Sequence, residues 1–109
     1  MRTSFLTQLS LKVIHDQENQ RFFVHLSPDP VTLHYEVEGN TWLITAVNIP
    51  PSARQLHVGP GLMEYALEKA LFEKVIVRPL CAYARNFMAR NPRFQSLLPR
   101  EGVLLGMGL

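Results

Sequence analysis

TWLITAVNIPPSARQLHVGPGLMEYALEKALFEKVIVRP, residues 41–79, decides the fold. Its first part, Thr41 to Ile49, is rich in β-branched and aromatic residues and reads as a strand, and its continuous apolar content predicts burial on both faces. Pro50, Pro51 and Ser52 stop that strand, because a proline cannot donate to a ladder. After a loop, Leu62, Met63, Tyr65, Ala66, Leu67, Ala70 and Leu71 recur at helical spacing, with Glu64, Glu68, Lys69 and Glu73 largely on the other side. A helix of roughly 13 residues is expected, opening near Gly59 to Gly61 with Pro60 in its first turn. Val75, Ile76 and Val77 then form a short β-branched run leading into Arg78 and Pro79. Strand, helix and strand in succession make a βαβ unit, which crosses over into a parallel pair.

Upstream, Leu9, Leu11 and Val13 alternate with Ser10 and Lys12, so Leu9 to Ile14 reads as a half-buried strand, with Asp16 to Gln20 as its turn. Arg21 to Leu26 is a second strand, closed by the loop Ser27-Pro28-Asp29-Pro30, and Val31 to Val37 a third. Glu38, Gly39 and Asn40 connect it to the Thr41 strand as a hairpin. Four strands with short connections imply an antiparallel meander. Downstream, Ala82 to Arg90 reads as a C-terminal helix stopped before Pro92, and the tail after Pro99 shows no period and stays unassigned.

At 109 residues, 47% hydrophobic and 18% charged, residues 1–109 make one domain with its own core, and disorder is excluded. No apolar run approaches the ~20 residues that cross a bilayer. Arg2 ahead of Phe5 and Leu6 suggests a leader, but Thr3, Ser4, Thr7, Gln8, Ser10 and Lys12 interrupt its apolar stretch. One cysteine, Cys81, forms no disulfide framework, which points to a reducing cytoplasm. Residues 78–100 carry five arginines and no Asp or Glu, so against a chain net of +2 the remainder is −3. Such a basic stretch draws anions or pairs with acidic neighbours in the fold.

An open sheet with a parallel pair places ligands beyond the carboxyl ends of those strands, here Asn48 to Gly61 and Pro79 to Tyr83. The helix start at Gly59 to Gly61 offers unpaired N–H groups and a positive dipole end to an anion. Cys81 reads two ways: a thiol at a helix start, favoured as thiolate, or a small buried residue. Tyr83 reads as a cleft acid or as core. His15, His25 and His34 lack ligand-like spacing, so no metal site is expected. Arg85, Arg90, Arg93 and Arg100 interleave with Tyr83, Phe87 and Phe94 in a pattern that suits base stacking, yet the four-residue spacing of Tyr83 and Phe87 favours the buried face of the helix and disfavours nucleic acid.

The order of strand, Ile49-Pro50, Arg54 and loop, helix, strand, Pro79-Leu80-Cys81-Ala82-Tyr83 and Arg90-Asn91-Pro92-Arg93-Phe94 resembles the small stand-alone branch of the GNAT N-acetyltransferase superfamily, over about residues 13–98. The resemblance implies an α+β GNAT-like fold: an antiparallel meander, a strand-helix-strand crossover with a splayed parallel pair, and a C-terminal helix. It implies an acyl-CoA-dependent N-acyltransferase with acetyl-CoA as cosubstrate and an unknown amine as acceptor. The pantetheine arm would lie along Asn48 and Ile49, and the pyrophosphate on the loop from Arg54 to Gly59. Arg54 matches the loop's Arg, Gln55 and His57 stand where glycines are expected, Val58 holds the apolar position and Gly59 the small one. Ala46 and Val47 stand where the branch has a His-Thr pair. The implied mechanism is direct attack of the amine on the thioester, with strand-end N–H groups holding the oxyanion and Cys81 or Tyr83 assisting thiolate departure. Glu36 and Glu38 are the nearest acidic candidates for a base. The altered loop keeps open the alternative of a non-catalytic GNAT-like binding or interaction module.

Overall fold

A computed structural model describes residues 11–100. Leu9 and Ser10, the leader reading at Arg2 to Leu6 and the tail beyond Arg100 lie outside the described residues. Strands β1 (Val13–Asp16), β2 (Arg21–Val24), β3 (Val31–Glu38) and β4 (Thr41–Asn48) form the expected antiparallel meander. After a 3-10 helix (Pro51–Leu56), α1 (Val58–Glu73) crosses over to β5 (Ile76–Pro79), which pairs parallel with β4. Helix α2 (Ala82–Arg90) and a second 3-10 helix (Pro92–Leu97) complete the α+β fold. The sheet order is β1-β2-β3-β4-β5.

Several boundaries move for local reasons. β1 runs into Asp16, beyond the expected end at Ile14, because Asp16 anchors the turn: its carboxylate accepts from the backbone N–H and side-chain amide of Asn19. Asp16 also pairs with Arg21 across the ladder. Helix α1 starts at Val58 and runs 16 residues, longer than the expected 13 or so. It buries Val58, Gly59, Leu62, Met63, Ala66, Leu67 and Ala70, leaving Tyr65 and Leu71 exposed. Neither 3-10 helix is legible as such in the sequence, yet the second buries Phe94 and Leu97 in the core.

One face of the sheet carries Phe22, Val24, Val31, Leu33, Tyr35, Trp42, Ile44 and Val77, all buried. Against them pack α1 and α2, with the second 3-10 helix between. Of β4 only Trp42 and Ile44, on this face, are buried; Leu43, Thr45, Ala46 and Val47 are half-buried, short of the two-sided burial its apolar content suggests. The hairpin turn depends on Gly39, whose φ of 59° is the left-handed region that glycine occupies at least cost. Beside it the Asn40 carbonyl accepts from Ile76 N–H at 2.8 Å, and its side-chain amide donates to the Lys74 carbonyl at 3.1 Å. These bonds set where β5 begins.

Candidate functional site

The parallel pair lasts only four residues, from Thr41 opposite Ile76 to Ile44 opposite Pro79. Two local events end it. Pro79 has no N–H to continue the ladder, and the next two N–H groups, of Leu80 and Cys81, both turn back to the Ile44 carbonyl, at 2.9 and 3.3 Å. On the other side of β4, His34 pairs with Ala46 while Tyr35 pairs with Ile44, so Thr45 is the extra residue of a β-bulge. The Thr45 hydroxyl donates to the His34 carbonyl at 3.3 Å. Beyond the bulge β4 keeps β3 on one edge and, among the described residues, has no strand on the other.

A cavity of about 520 Å³ opens there. Val47, Asn48 and Ile49 form its strand wall, and Arg54, His57, Gly59 and Pro60 its loop and helix wall, with Tyr83 of α2 closing it. Of the residues singled out in the sequence, Asn48, Ile49, Arg54, His57, Gly59 and Tyr83 come together here. Val47 and Pro60 line the cavity as well, although the resemblance placed neither among the residues that hold the donor. Gln55 is exposed on the 3-10 helix, and Val58 is buried beneath the helix start; neither lines the cavity.

The backbone bends where the sequence suggests. His57, at a position where glycine is expected, has φ 57° and ψ 31°, a left-handed conformation that costs a side chain energy and a glycine little. It also caps α1, whose first N–H groups have no partner within the helix. Gly59 permits the close approach next to it. A Cβ there would run into Ile49 Cδ1 and lie 2.7 Å from the Tyr83 hydroxyl, so with glycine the helix start, the strand end and α2 meet without either side chain having to shift.

Tyr83 is half-buried, and burial pushes its phenol above its ordinary value of 10.0, with the Arg90 charge opposing. At neutral pH it keeps its proton. Cys81 is the N-cap of α2: its Sγ accepts from Ala84 N–H at 3.4 Å, and it is not among the cavity's walls. The buried stripe of α2 is Ala84 and Met88, with Tyr83 and Phe87 half-buried beside it. Glu36 and Glu38 face solvent near the hairpin, paired with Leu43 and Thr41 at the other end of β4 from the cavity.

The basic segment is partly answered within the fold. Arg93 reaches Glu64 at 2.9 Å and Glu68 at 2.8 Å on α1, and its guanidinium lies over the buried Phe94 ring, which is therefore no exposed platform for a base. Among the described residues no three His, Cys, Asp or Glu side chains gather as a metal cluster, and no helix is long and apolar enough to cross a membrane.

Among curated proteins none matches the chain. The family described as GCN5-related N-acetyl-transferase matches residues 21–97, from β2 through the second 3-10 helix and more than half of the 109 residues. With the meander, the crossover and the parted β4–β5 pair, that match makes this chain a member of the GCN5-related N-acetyltransferase family.

Proposed function

We propose that this chain is an N-acyltransferase of one domain that moves an acetyl group from acetyl-CoA to an amine in the cytoplasm. The observation that carries the reading is the parting of β4 from β5 at Ile44 and Pro79, which frees a strand edge beside a cavity closed by a helix start and a protonated tyrosine.

The residues fit such a donor. The free edge at Asn48 and Ile49 offers main-chain groups to the amides of an extended arm, as an added strand would use them. Arg54, with the N–H groups of His57, Val58 and Gly59 at the start of α1, offers positive charge and donors to a pyrophosphate. The missing side chain at Gly59 keeps that helix start against Ile49, so both ends of the donor would meet one continuous surface. When bound, acetyl-CoA supplies a thioester carbonyl activated toward an amine.

The chain's own groups then do the rest. A strand-end N–H faces the carbonyl oxygen as charge develops, and the Tyr83 phenol, held protonated by burial, donates to the departing thiolate. Cys81, whose sulfur is engaged at the α2 cap, supports that helix and thereby the position of Tyr83.

The test is a thermal-shift titration with acetyl-CoA. A ligand at 100 times its dissociation constant stabilises the native state by about 2.7 kcal/mol. A rise in melting temperature that saturates with ligand is expected. No shift at millimolar acetyl-CoA would overturn the reading in favour of a non-catalytic module, which Gln55 and the left-handed His57 in place of glycines favour.

A further inference from the structure

The end of β4 borders a second cavity, of about 570 Å³, walled by Asp29 and Pro30 of the β2–β3 loop, Thr32 and His34 of β3, and Asn48 and Ile49. Thr32 and His34 alternate along β3 with Val31, Leu33 and Tyr35, whose side chains face the helices, so this cavity lies on the opposite side of the sheet. Asn48 and Ile49 line both cavities. The two therefore meet at the strand end.

Their charges are opposite. Among the described residues lining them, the first has Arg54 and no acid, and the second has Asp29 and no Lys or Arg. Arg21, the cross-strand neighbour of His34, is engaged elsewhere: its Nε is 3.3 Å from Asp16 and its guanidinium lies 4.7 Å from the Phe23 ring centre. Asp29 is exposed in its loop. That carboxylate is open to a cation from solvent and shares the cavity with the strand end.

We propose that the second cavity is the acceptor subsite, and that it takes a small primary amine bearing a second cationic group, with that cation on Asp29 and the reacting nitrogen beside Asn48 and Ile49. The assignment rests on the acyl-transfer reading above. In the transfer the reacting ammonium first gives one proton to solvent, and the lone pair so freed bonds to the acetyl carbon as the carbon–sulfur bond breaks. The proton lost by the amine passes to a ring nitrogen of His34, the thiolate takes the phenolic proton of Tyr83, and solvent carries the proton from His34 back to Tyr83.

The diamine putrescine, with butylamine as its singly charged counterpart, tests this on the full chain at neutral pH by amide chemical shifts, with no acyl donor present. Putrescine should move the amides of Thr32, His34 and Asn48 most, and Asp29→Asn should weaken it by about tenfold, the worth of one charge-assisted contact. Butylamine should bind about tenfold more weakly than putrescine and be indifferent to Asp29→Asn, since it lacks the second charge. Shifts centred elsewhere, or equal putrescine affinity in Asp29→Asn, overturn the subsite. With acetyl-CoA added, His34→Gln should lower kcat for putrescine while KM for the amine changes little; an unchanged kcat overturns the proton role of His34. Putrescine binding at these residues without any binding of acetyl-CoA overturns the transfer reading alone, so the two failures are distinguishable.

Discussion

The two ends of β4 are built from the same kind of residue and do opposite things. At the Trp42 end, rings fill the space: Tyr35 stacks on Trp42 with centroids 4.7 Å apart, His15 stacks on Phe22 at 3.9 Å, and His15 Nε2 meets the Tyr35 hydroxyl at 2.6 Å. Even the titratable group is absorbed there, since burial, with Lys69 adding to it, lowers the His15 pKa below its ordinary 6.5. At the Asn48 end, β5 has left, the bulge at Thr45 has turned the strand, and polar groups border two cavities. One strand thus carries a packed half that stabilises and an open half that offers its edge, and the four-residue parallel pair marks the boundary.

The comparison breaks most severely at the packed end. Trp42→Ala removes the largest ring of the cluster and should destabilise the chain by about 3–5 kcal/mol, while leaving any residual folded protein with unaltered acetyl-CoA affinity. Urea unfolding with a ligand titration checks both. A stability loss under 1 kcal/mol would show that the rings are not what holds this end.

At the open end, Tyr83→Phe should lower kcat by about a hundredfold, with KM for acetyl-CoA little changed, as expected for a lost proton donor. Because burial raises the Tyr83 phenol above 10.0, the alkaline fall in rate that reports its ionisation should lie above pH 10 and vanish in the Phe variant. An unchanged rate would return Tyr83 to a purely packing role against Gly59.

A smaller effect sharpens the comparison. His57→Gly relieves a left-handed side chain at the helix start and lets the backbone N–H approach an anion more closely, so it should bind CoA at least about tenfold tighter at pH 7.5, the worth of one N–H contact to phosphate. Calorimetry giving equal or weaker binding would mean that the imidazole itself contributes to the site. The smallest change expected is at Cys81. Cys81→Ser keeps a cap acceptor for Ala84 N–H and should be neutral, whereas Cys81→Ala should cost about 0.5–1 kcal/mol of stability. A large loss of turnover in Cys81→Ser would place the thiol in the chemistry.

Much of this was legible from residue order alone. Alternation around Phe22, Leu33 and Tyr35 marks the meander, because a strand with one buried face must repeat every two residues. The helical spacing of Leu62, Met63, Ala66, Leu67 and Ala70 marks α1 for the same reason at a different period. Gly59 could be picked out as a glycine at a helix start, whereas the left-handed turn before it falls on His57 and was marked only by the resemblance. The second 3-10 helix left none: Phe94 and Leu97 reach the core through a turn too short to show a period. Tyr65 and Leu71 misled, because apolar spacing names a helix without saying how wide a stripe its partners cover.

By itself, then, the sequence determined the strands and the two α-helices, their order and the βαβ crossover, all of which follow from local periodicity and from prolines that cannot donate. The tertiary structure alone decided where β5 leaves β4, that Ile49, Gly59 and Tyr83 meet, and that Asp29 and His34 share a cavity with Asn48. Those are contacts between residues far apart in the chain. They depend on strand register, a single-residue bulge and the packing of two helices, and none of these writes a period into the sequence it joins.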